Sequence, residues 1–181
     1  MQVERLAIPE VVLFTPEQHA DARGSLMEAF NQARYEAALG RPLQFVQDNH
    51  SCSRQGVLRG LHYQLGRPQA KLVRVLVGAV FDVAVDLRRG SPSFGRWVAA
   101  TLSATNRCQM WVPEGFAHGF YTLSEQAEVL YKLTDYWSPE HERVLAWDDP
   151  RVAIDWPLNG APILGPRDQQ AATLANADCF A

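Results

Sequence analysis

The amino-acid sequence predicts a mainly β fold, a barrel or sandwich of short strands with a few short peripheral helices. Short apolar stretches recur along the chain, and Gly, Pro and Asn residues separate them. Only one segment carries both the start and the stop signals of a helix. Closing or stacking such strands hides their edges. A length of 181 residues without a repeat or a low-complexity stretch predicts a single domain over residues 1–181.

The predicted helix spans Gln32 to Leu39, a run of good helix formers. Asn31 precedes it and can cap its amino end with a side-chain oxygen. Gly40 follows it and can adopt the left-handed conformation that ends many helices. We expect this helix to lie at the periphery of the strands.

The most regular strand pattern has apolar side chains at every second position, which is the period of a strand: Phe81, Val83, Val85 and Leu87. It runs into a turn-rich break at residues 88–92. Further strands are predicted at Trp97 to Leu102, Met110 to Val112, Gly119 to Leu123 and Val129 to Thr134. The tail from Pro157 onward is richer in Pro, Gly and polar residues, and we expect it to wrap over the body without joining its sheet.

The composition argues against several classes of protein. A formal net charge of −3 disfavours general nucleic-acid binding, which needs a basic face. The cysteines are odd in number and form no CxxC pair, so neither a disulfide framework nor a structural zinc site is expected. No apolar run reaches the length of a membrane span, and Met1 to Ala20 lacks the apolar core of a signal peptide. These features favour a cytoplasmic protein that binds neither nucleic acid nor membrane.

Strand phase predicts that three polar side chains face inward. His62 shares a face with Gly60 and Gln64, whereas Lys71 and Tyr131 continue apolar, core-facing rows formed by Val73, Val75, Val77, Val129 and Leu133. An inward-facing lysine needs a partner or a ligand, because removing its charge from water is costly. A base, a cation and a phenol can therefore line one cavity.

Each of these three residues also has a purely structural interpretation. His62 fits a buried, hydrogen-bonded histidine equally well, and Lys71, at the first position of its strand, fits a residue near solvent. Tyr131 fits a core tyrosine whose hydroxyl group is hydrogen-bonded. Taken singly, the residues leave these alternatives open.

A second pattern contains His118. The run from Pro113 to Phe120 includes P-x-G-x-x-H, which resembles the second motif of the cupin superfamily, a small jelly-roll β-barrel. The first motif of metal-binding cupins supplies an HxH pair and then a Glu, but the comparable positions here hold His62, Gln64 and Lys71. An amide and an ammonium group in place of two ligands argue against a metal site. We therefore expect a cupin-type jelly roll without a metal.

Six runs together resemble the dTDP-4-dehydrorhamnose 3,5-epimerase family. They occur in the family's order, and the resemblance extends from about Arg5 to Phe180. The runs are Arg59 to Gln64, Pro68 to Arg74, Phe81 to Arg88, Pro113 to Phe120, Tyr131 to Trp137 and Pro139 to Arg143.

The resemblance implies a homodimer that works without a cofactor in the third step of dTDP-L-rhamnose synthesis. Its substrate would be dTDP-4-dehydro-6-deoxy-D-glucose, inverted at C3 and C5. By the family pattern His62 is the catalytic base, and Asp168 orients it. Tyr131 is the acid that delivers a proton at C5, and Lys71 faces the sugar carbonyl. The positions that match nucleotide- or sugar-binding residues are Arg23, Glu28, Gln47, Asn49, Arg59, Lys71, His118, Glu142 and Arg167.

These roles agree with the chemistry of the reaction. A carbon beside the C4 ketone is acidic only if the enolate oxygen is stabilised, and an ammonium group such as that of Lys71 supplies the charge. Histidine titrates near working pH, and a carboxylate partner fixes its tautomer. Inversion also needs a proton returned from the opposite face, hence a second donor such as Tyr131. Arginines suit the oxygens of a pyrophosphate.

Three alternatives remain. A relative that inverts only C3 or C5 of a related deoxy sugar would share every motif, because a small shift of Tyr131 is enough to abolish one inversion. A metal-dependent cupin enzyme is disfavoured by Gln64 and Lys71. A non-catalytic sugar-nucleotide binder would keep the arginines but lose the base, and His62 with Asp168 argues against it.

Overall fold

The computed structural model describes residues 1–181 and is built mainly from short strands. In chain order these are β1 (Gln2–Arg5), β2 (Val12–Thr15), β3 (Gln18–Asp21), β4 (Gly24–Met27), β5 (Gln47–Arg54), β6 (Val57–Gln64), β7 (Lys71–Val77), β8 (Ala79–Asp86), β9 (Trp97–Ser103), β10 (Gln109–Val112), β11 (Phe116–Thr122), β12 (Gln126–Leu133), β13 (Glu142–Val144) and β14 (Ile163–Leu164). Helix α1 (Gln32–Leu39) lies between β4 and β5, and a 3-10 helix (Asp168–Gln170) follows β14. No helix has the length and apolarity needed to cross a bilayer.

Most of the strands form two sheets that pack face to face. The first sheet has the order β1-β2-β10-β7-β12-β5, and the second has the order β13-β6-β11-β8-β9 with β14 beside β6. Strands β3 and β4 form a separate hairpin. The predicted mainly β fold with stacked sheets is therefore confirmed.

Buried side chains form three layers. The layer between the sheets includes Val73, Val129 and Phe120. On the outer face of the second sheet, Val83 and Val85 pack under the C-terminal segment, while helix α1 covers the outer face of the first sheet. Both faces of each sheet are thus buried over much of their area. The apolar row of β8 faces the C-terminal segment, so its alternate residues point into the space between the sheets.

The helix prediction is confirmed at both ends. The Asn31 side chain accepts a hydrogen bond from the backbone N–H of Arg34 at 3.3 Å. Gly40 has a φ of 69° and donates its N–H to the carbonyl of Glu36 at 2.8 Å. Both contacts satisfy backbone groups that a helix end leaves unpaired.

The predicted strands are confirmed with shifted ends, but the strands β1 to β5, β13 and β14 were not predicted. Strand β11 begins at Phe116, inside the P-x-G-x-x-H run, and not at Gly119. Strand β5 was not predicted, because its sequence QDNHSCSR contains no apolar alternation. It is an edge strand whose side chains are alternately half-buried and exposed. Such a strand is specified by its neighbour β12 more than by its own hydrophobicity.

The expectation that the tail wraps without joining a sheet was wrong at one point. Ile163 and Leu164 form β14, which pairs in parallel with Val57 and Leu58 of β6. Strand β13 covers only the other end of β6, so the backbone groups near Val57 need a different partner. The rest of the tail does wrap over the second sheet, where Leu174, Ala177 and other tail residues cover its outer face.

Two glycines shape the site end of the second sheet. Gly60 has a φ of +128°, and a Cβ atom there would lie 2.6 Å from the Cα of Gly119. Strands β6 and β11 approach each other closely at this point, and their register shifts between His118 and Phe120. Such an irregularity re-aims the neighbouring side chains. His62 and His118 face each other as register partners directly beside it.

Candidate active site

A cavity of about 430 Å³ opens between the two sheets. Its volume lies in the range of small-ligand sites. The first sheet and its loops contribute Gln47, Asn49, Ser51, Gln69, Lys71, Tyr131, Leu133 and Trp137, and the second contributes Arg59, His62, His118, Phe120 and Glu142. Strand phase thus predicted correctly that His62, Lys71 and Tyr131 line one cavity.

His62 is paired with Asp168, although 106 positions separate them. The imidazole Nε2 lies 2.6 Å from Asp168 Oδ1, and the His62 side chain is 34% exposed while that of Asp168 is 7% exposed. The 3-10 helix that starts at Asp168 lies beside β6 and delivers the carboxylate. A buried carboxylate fixes the tautomer and orientation of the ring, which leaves its other nitrogen free to take a proton.

Lys71 is buried at the first position of β7, which excludes the interpretation as a near-solvent residue. Its ammonium group donates a hydrogen bond to the backbone carbonyl of His62 at 3.1 Å, and so reaches from the first sheet to the second. Burial lowers its pKa from 10.5 to about 8, while the negative charges of Asp82 and Glu142 oppose that shift. The group is therefore mainly protonated at neutral pH and has further N–H donors to offer a ligand.

His118 forms a second histidine–carboxylate pair, with Asp82. The His118 Nε2 lies 2.6 Å from Asp82 Oδ1, and both side chains are almost fully buried. Burial lowers the pKa of His118, and the positive charge of Lys71 adds to this effect against the attraction of Asp82. The His118 ring is therefore neutral at pH 7. The other oxygen of Asp82 is buried without a hydrogen-bond partner.

Tyr131 stands on the wall opposite His62. It lies in β12, pairs with Val73 and Asn49 on its two sides, and packs against the core between the sheets. Its hydroxyl group makes no hydrogen bond within the chain, which differs from the satisfied core tyrosine of the structural interpretation. A phenol on one wall thus faces an imidazole on the other.

The predicted binding residues Gln47, Asn49 and Arg59 also line the cavity. Gln47 donates to the side-chain oxygen of Asn49 at 2.8 Å. The Arg59 Nε donates to Ser53 Oγ at 2.9 Å, which holds the guanidinium group along β5. Because side chains alternate along β5, Gln47, Asn49 and Ser51 share the face of this strand that is turned to the cavity.

Glu142 and Trp137 line the cavity, and Arg167 contacts both of them from outside it. Glu142 makes an ion pair with Arg167, and the Arg167 guanidinium carbon lies 5.8 Å from the centroid of the Trp137 ring. The Trp137 residue is 46% exposed, which is unusual for so large an apolar side chain. Arg167 lies outside the cavity lining and joins it only through these two contacts.

Two predicted binding residues lie away from the cavity of their own chain. Arg23 sits in the β3–β4 hairpin, where its side chain is 90% exposed and pairs with Asp21 at 2.6 Å. Glu28 follows the hairpin and pairs with Arg34 at 3.1 Å. Neither lines the cavity, so their assignment as binding residues stays a prediction.

The structure adds residues that sequence reasoning did not identify. Ser51 and Gln69 line the cavity, and Asp82 lies beneath it. The signal for Asp82 was present, since it alternates with the apolar row of β8 and must face the other way. The sequence did not indicate which face of β8 is turned toward the cavity.

The cupin-like positions are occupied by other contacts. His62 and His118 each direct Nε2 to a carboxylate, and Gln64 bonds to the backbone of nearby loops. No group of three or more His, Cys, Asp or Glu side chains is placed to hold a metal ion.

Comparison with known proteins identifies the family. Residues 5–176 match the family model described as dTDP-4-dehydrorhamnose 3,5-epimerase. The chain is 60% identical to the dTDP-4-dehydrorhamnose 3,5-epimerase of Pseudomonas aeruginosa, over 99% of each chain. It is 43% identical to a dTDP-4-dehydrorhamnose 3-epimerase of Streptomyces niveus, over 98% of this chain and 86% of that one.

A solved structure agrees with these matches. The dTDP-6-deoxy-D-glucose-3,5-epimerase of Legionella pneumophila, crystallised with dTDP-4-keto-L-rhamnose, superposes with a TM-score of 0.95. It is 50% identical, and the match covers 98% of this chain and 94% of that chain. The resemblance inferred from the six sequence runs is thereby confirmed. The chain belongs to the dTDP-4-dehydrorhamnose 3,5-epimerase family and is an epimerase, an enzyme of the isomerase class.

Proposed function

We propose that the protein inverts both C3 and C5 of dTDP-4-dehydro-6-deoxy-D-glucose and so produces dTDP-4-dehydro-L-rhamnose for dTDP-L-rhamnose synthesis. One observation carries the proposal: the His62–Asp168 pair and the Tyr131 phenol stand on opposite walls of one cavity, and Lys71 reaches across it. Inversion of a carbon requires removal of a proton from one face and its return to the other. Opposite walls meet that requirement, and no cofactor is needed.

The first step is removal of a proton from a carbon beside the C4 ketone. The free ring nitrogen of His62 takes the proton, and Asp168 stabilises the imidazolium that results. The electron pair of the C–H bond moves onto the carbonyl oxygen, which becomes an enolate. Lys71 stabilises that negative charge, because its ammonium group is already in place and needs no reorganisation.

The second step returns a proton to the opposite face. Tyr131 delivers it at C5, and its hydroxyl group is free to do so because no side chain or carbonyl of the chain occupies it. His118 is neutral and presents a nitrogen acceptor, which suits a sugar hydroxyl group. The same base also serves C3, because C3 and C5 both flank the C4 ketone. At C3 the proton on the opposite face comes from solvent water, since Tyr131 is assigned to C5.

The remaining lining residues bind the nucleotide. Arg59 offers a guanidinium group to the diphosphate. Trp137 offers an exposed aromatic face to the thymine ring. Gln47, Asn49 and Glu142 supply hydrogen-bonding groups to the ligand.

The proposal includes a homodimer. Arg23 and Glu28 match binding positions of the family, yet they lie outside the cavity of their own chain. The β3–β4 hairpin that precedes Glu28 is exposed along both strands and carries Leu26, which is 74% exposed. In a dimer this hairpin would reach the cavity of the second copy and supply both residues there. The protein would work in the cytoplasm, where dTDP-sugars are made.

A monofunctional 3-epimerase is the second candidate, and the Streptomyces niveus relative favours keeping it. That protein is named a 3-epimerase, and it is 43% identical to this chain. Both functions use the base and the lysine. They differ in whether the configuration at C5 is inverted as well as that at C3. Only a measurement at each carbon separates them.

The test follows deuterium. The protein is incubated with dTDP-4-keto-6-deoxyglucose in deuterated water, and NMR records exchange at C3 and C5 while the next reductase traps the L-lyxo product. Deuterium at both carbons, with trapped product, supports the double epimerase. Exchange at C3 alone selects a 3-epimerase and exchange at C5 alone selects a 5-epimerase, whereas exchange at neither carbon refutes the proposed function and both of these alternatives. Loss of activity on removal of a stoichiometric metal would instead select a metal-dependent enzyme.

The Tyr131→Phe variant is expected to impair C5 inversion selectively. It removes the proton donor but keeps the ring that packs against the core, so we expect C5 inversion to fall on the order of 10²-fold. Exchange at C3 should stay within a few-fold of the wild-type rate. The same NMR assay measures both carbons in one sample. Equal losses at C3 and C5 would contradict the division of labour between His62 and Tyr131.

A further inference from the structure

Gln64 is buried beside the active site, but it does not line the cavity. It is the last residue of β6 and is 3% exposed. Its Nε2 donates to the carbonyls of Arg67 at 2.8 Å and Tyr136 at 3.2 Å, and its Oε1 accepts from the backbone N–H of Ser138 at 2.7 Å. Both amide donors and the carbonyl oxygen are thus used on backbone groups. Gln64 has no donor left for a ligand.

These bonds act on the two peptide groups that flank Trp137. The carbonyl of Tyr136 and the N–H of Trp137 belong to one peptide group; Gln64 binds its oxygen, and Gln47 accepts its N–H at 2.8 Å. The N–H of Ser138 belongs to the next peptide group, and Gln64 binds that too. Because each peptide group is planar, the φ and ψ angles of Trp137 are the only backbone rotations between these two peptide groups. Fixing both planes fixes the direction of the Cα–Cβ bond of Trp137, so that only the rotamer of the side chain remains to place the indole. The guanidinium carbon of Arg167, 5.8 Å from the centroid of the ring, packs against the indole in that rotamer.

The start of the same loop is held by other contacts. Arg67 and Asp135 form an ion pair at 2.6 Å, and Gln69 donates to the carbonyl of Asp135 at 2.8 Å. Loss of the Gln64 amide would therefore free the Tyr136 carbonyl and the Ser138 N–H, while the bond from the Trp137 N–H to Gln47 keeps the loop attached to the sheet. This separation makes the role of Gln64 measurable.

We propose that Gln64 is a positioning residue that orients Trp137 for the base of the nucleotide, and so sets the affinity for the nucleotide and not the rate of proton transfer. The inference rests on the proposed function, because it assigns Trp137 to the nucleotide. An aromatic residue on a loop must otherwise be ordered when the ligand binds, and that ordering lowers the affinity. Gln64 orders it in advance with an amide that never touches the ligand.

The experiment is a double-mutant cycle on the Kd of dTDP, measured by titration calorimetry with wild type, Gln64→Met, Trp137→Ala and the double variant. Methionine keeps the length of the side chain and removes its hydrogen bonds. We expect Gln64→Met to raise the Kd roughly tenfold in the wild-type background. In the Trp137→Ala background the same change should alter the Kd less than about twofold, since the oriented ring is gone. The rate at which Gln64→Met exchanges deuterium into C3 and C5 at saturating substrate should stay within about twofold of the wild-type rate.

The inference would be overturned if Gln64→Met changed the Kd of dTDP by the same factor in both backgrounds. It would also be overturned if Gln64→Met lowered the exchange rate at saturating substrate and left the Kd unchanged. Gln55→Met is the matched control: Gln55 also donates to a backbone carbonyl, that of Leu123 at 2.8 Å, but lies outside the cavity lining. It should leave the Kd unchanged. A wild-type protein that neither binds dTDP nor exchanges C3 or C5 would refute the proposed function itself.

A measurement on the wild type alone covers the case in which Gln64→Met does not fold. Hydrogen exchange of the unliganded protein should show protected amides at Trp137 and Ser138, because both N–H groups donate to glutamine side chains. Exchange of these two amides at the rate of an open loop would contradict a preformed orientation of Trp137.

Discussion

The His62→Ala variant is expected to lose exchange at both C3 and C5, by on the order of 10³- to 10⁴-fold. The cavity offers no second base in an equivalent position. His118 is the nearest histidine, but it is buried, neutral and bonded through Nε2 to Asp82. Because both carbons flank the same ketone, removal of one base should stop both inversions. The deuterium assay at saturating substrate gives the two rates.

Asp168→Asn is the companion variant, because it keeps the shape of the His62 partner and removes its charge. We expect exchange to fall about 10²-fold or more, since an amide can donate to Nε2 and stabilise the wrong tautomer. The Kd of dTDP should change little in both variants. Residual exchange at C3 in His62→Ala close to the wild-type rate would show that a different group serves C3, and would remove His62 from that half of the reaction.

The Lys71→Met variant is expected to lose on the order of 10²- to 10³-fold in kcat/KM, the usual effect of removing a preorganised stabiliser of an oxyanion. Its stability at pH 7 should not fall. Burial lowers the pKa of Lys71 from 10.5 to about 8, and a shift of that size corresponds to a cost of roughly 3 kcal/mol for holding the charged form. Methionine removes the charge and keeps the volume. A large drop in Tm together with the lost activity would point to a structural role instead.

The pH dependence of the wild type follows from the same residue. The ammonium form is the active one, so kcat/KM should fall as the pH rises through about 8. The free energy of unfolding changes in the opposite direction. Between about pH 8 and 10.5 the unfolded chain keeps the Lys71 proton and the folded chain loses it. The free energy of unfolding therefore rises with pH over this range, because the cost of burying the charged lysine is relieved. The groups whose charges act on Lys71 include Asp82 and Glu142. In Lys71→Arg the fall of kcat/KM at alkaline pH should move to higher pH. If it does not move, a group other than Lys71 causes the fall.

Local sequence signals were sufficient for the elements that have strong patterns of their own. The helix from Gln32 to Leu39 was predicted with both caps, because capping is decided by adjacent residues. The core-facing rows of β7 and β12 were predicted because strand phase is a property of each strand. Strand β5 was missed, since an edge strand of polar residues carries no such pattern.

The active-site pairs show the opposite case. Asp168 follows an ordinary turn, and only the family resemblance pointed to it. The structure brings it to His62 because β14 pairs with β6 and the bridge from Leu145 to Ala172 holds the tail against the second sheet. Asp82 was overlooked although its strand was predicted, because the direction of its face depends on which layer covers the apolar row of β8.

By itself the sequence determined the mainly β class, the helix, the inward direction of His62, Lys71 and Tyr131, and the family. Those features depend on periodicity, on capping and on motifs, which are all encoded within short runs of residues. Only the tertiary structure decided that His62 meets Asp168, that His118 meets Asp82, and that Gln64 holds the loop of Trp137. These contacts join side chains to groups far along the chain, and their positions depend on the packing of two sheets and a tail.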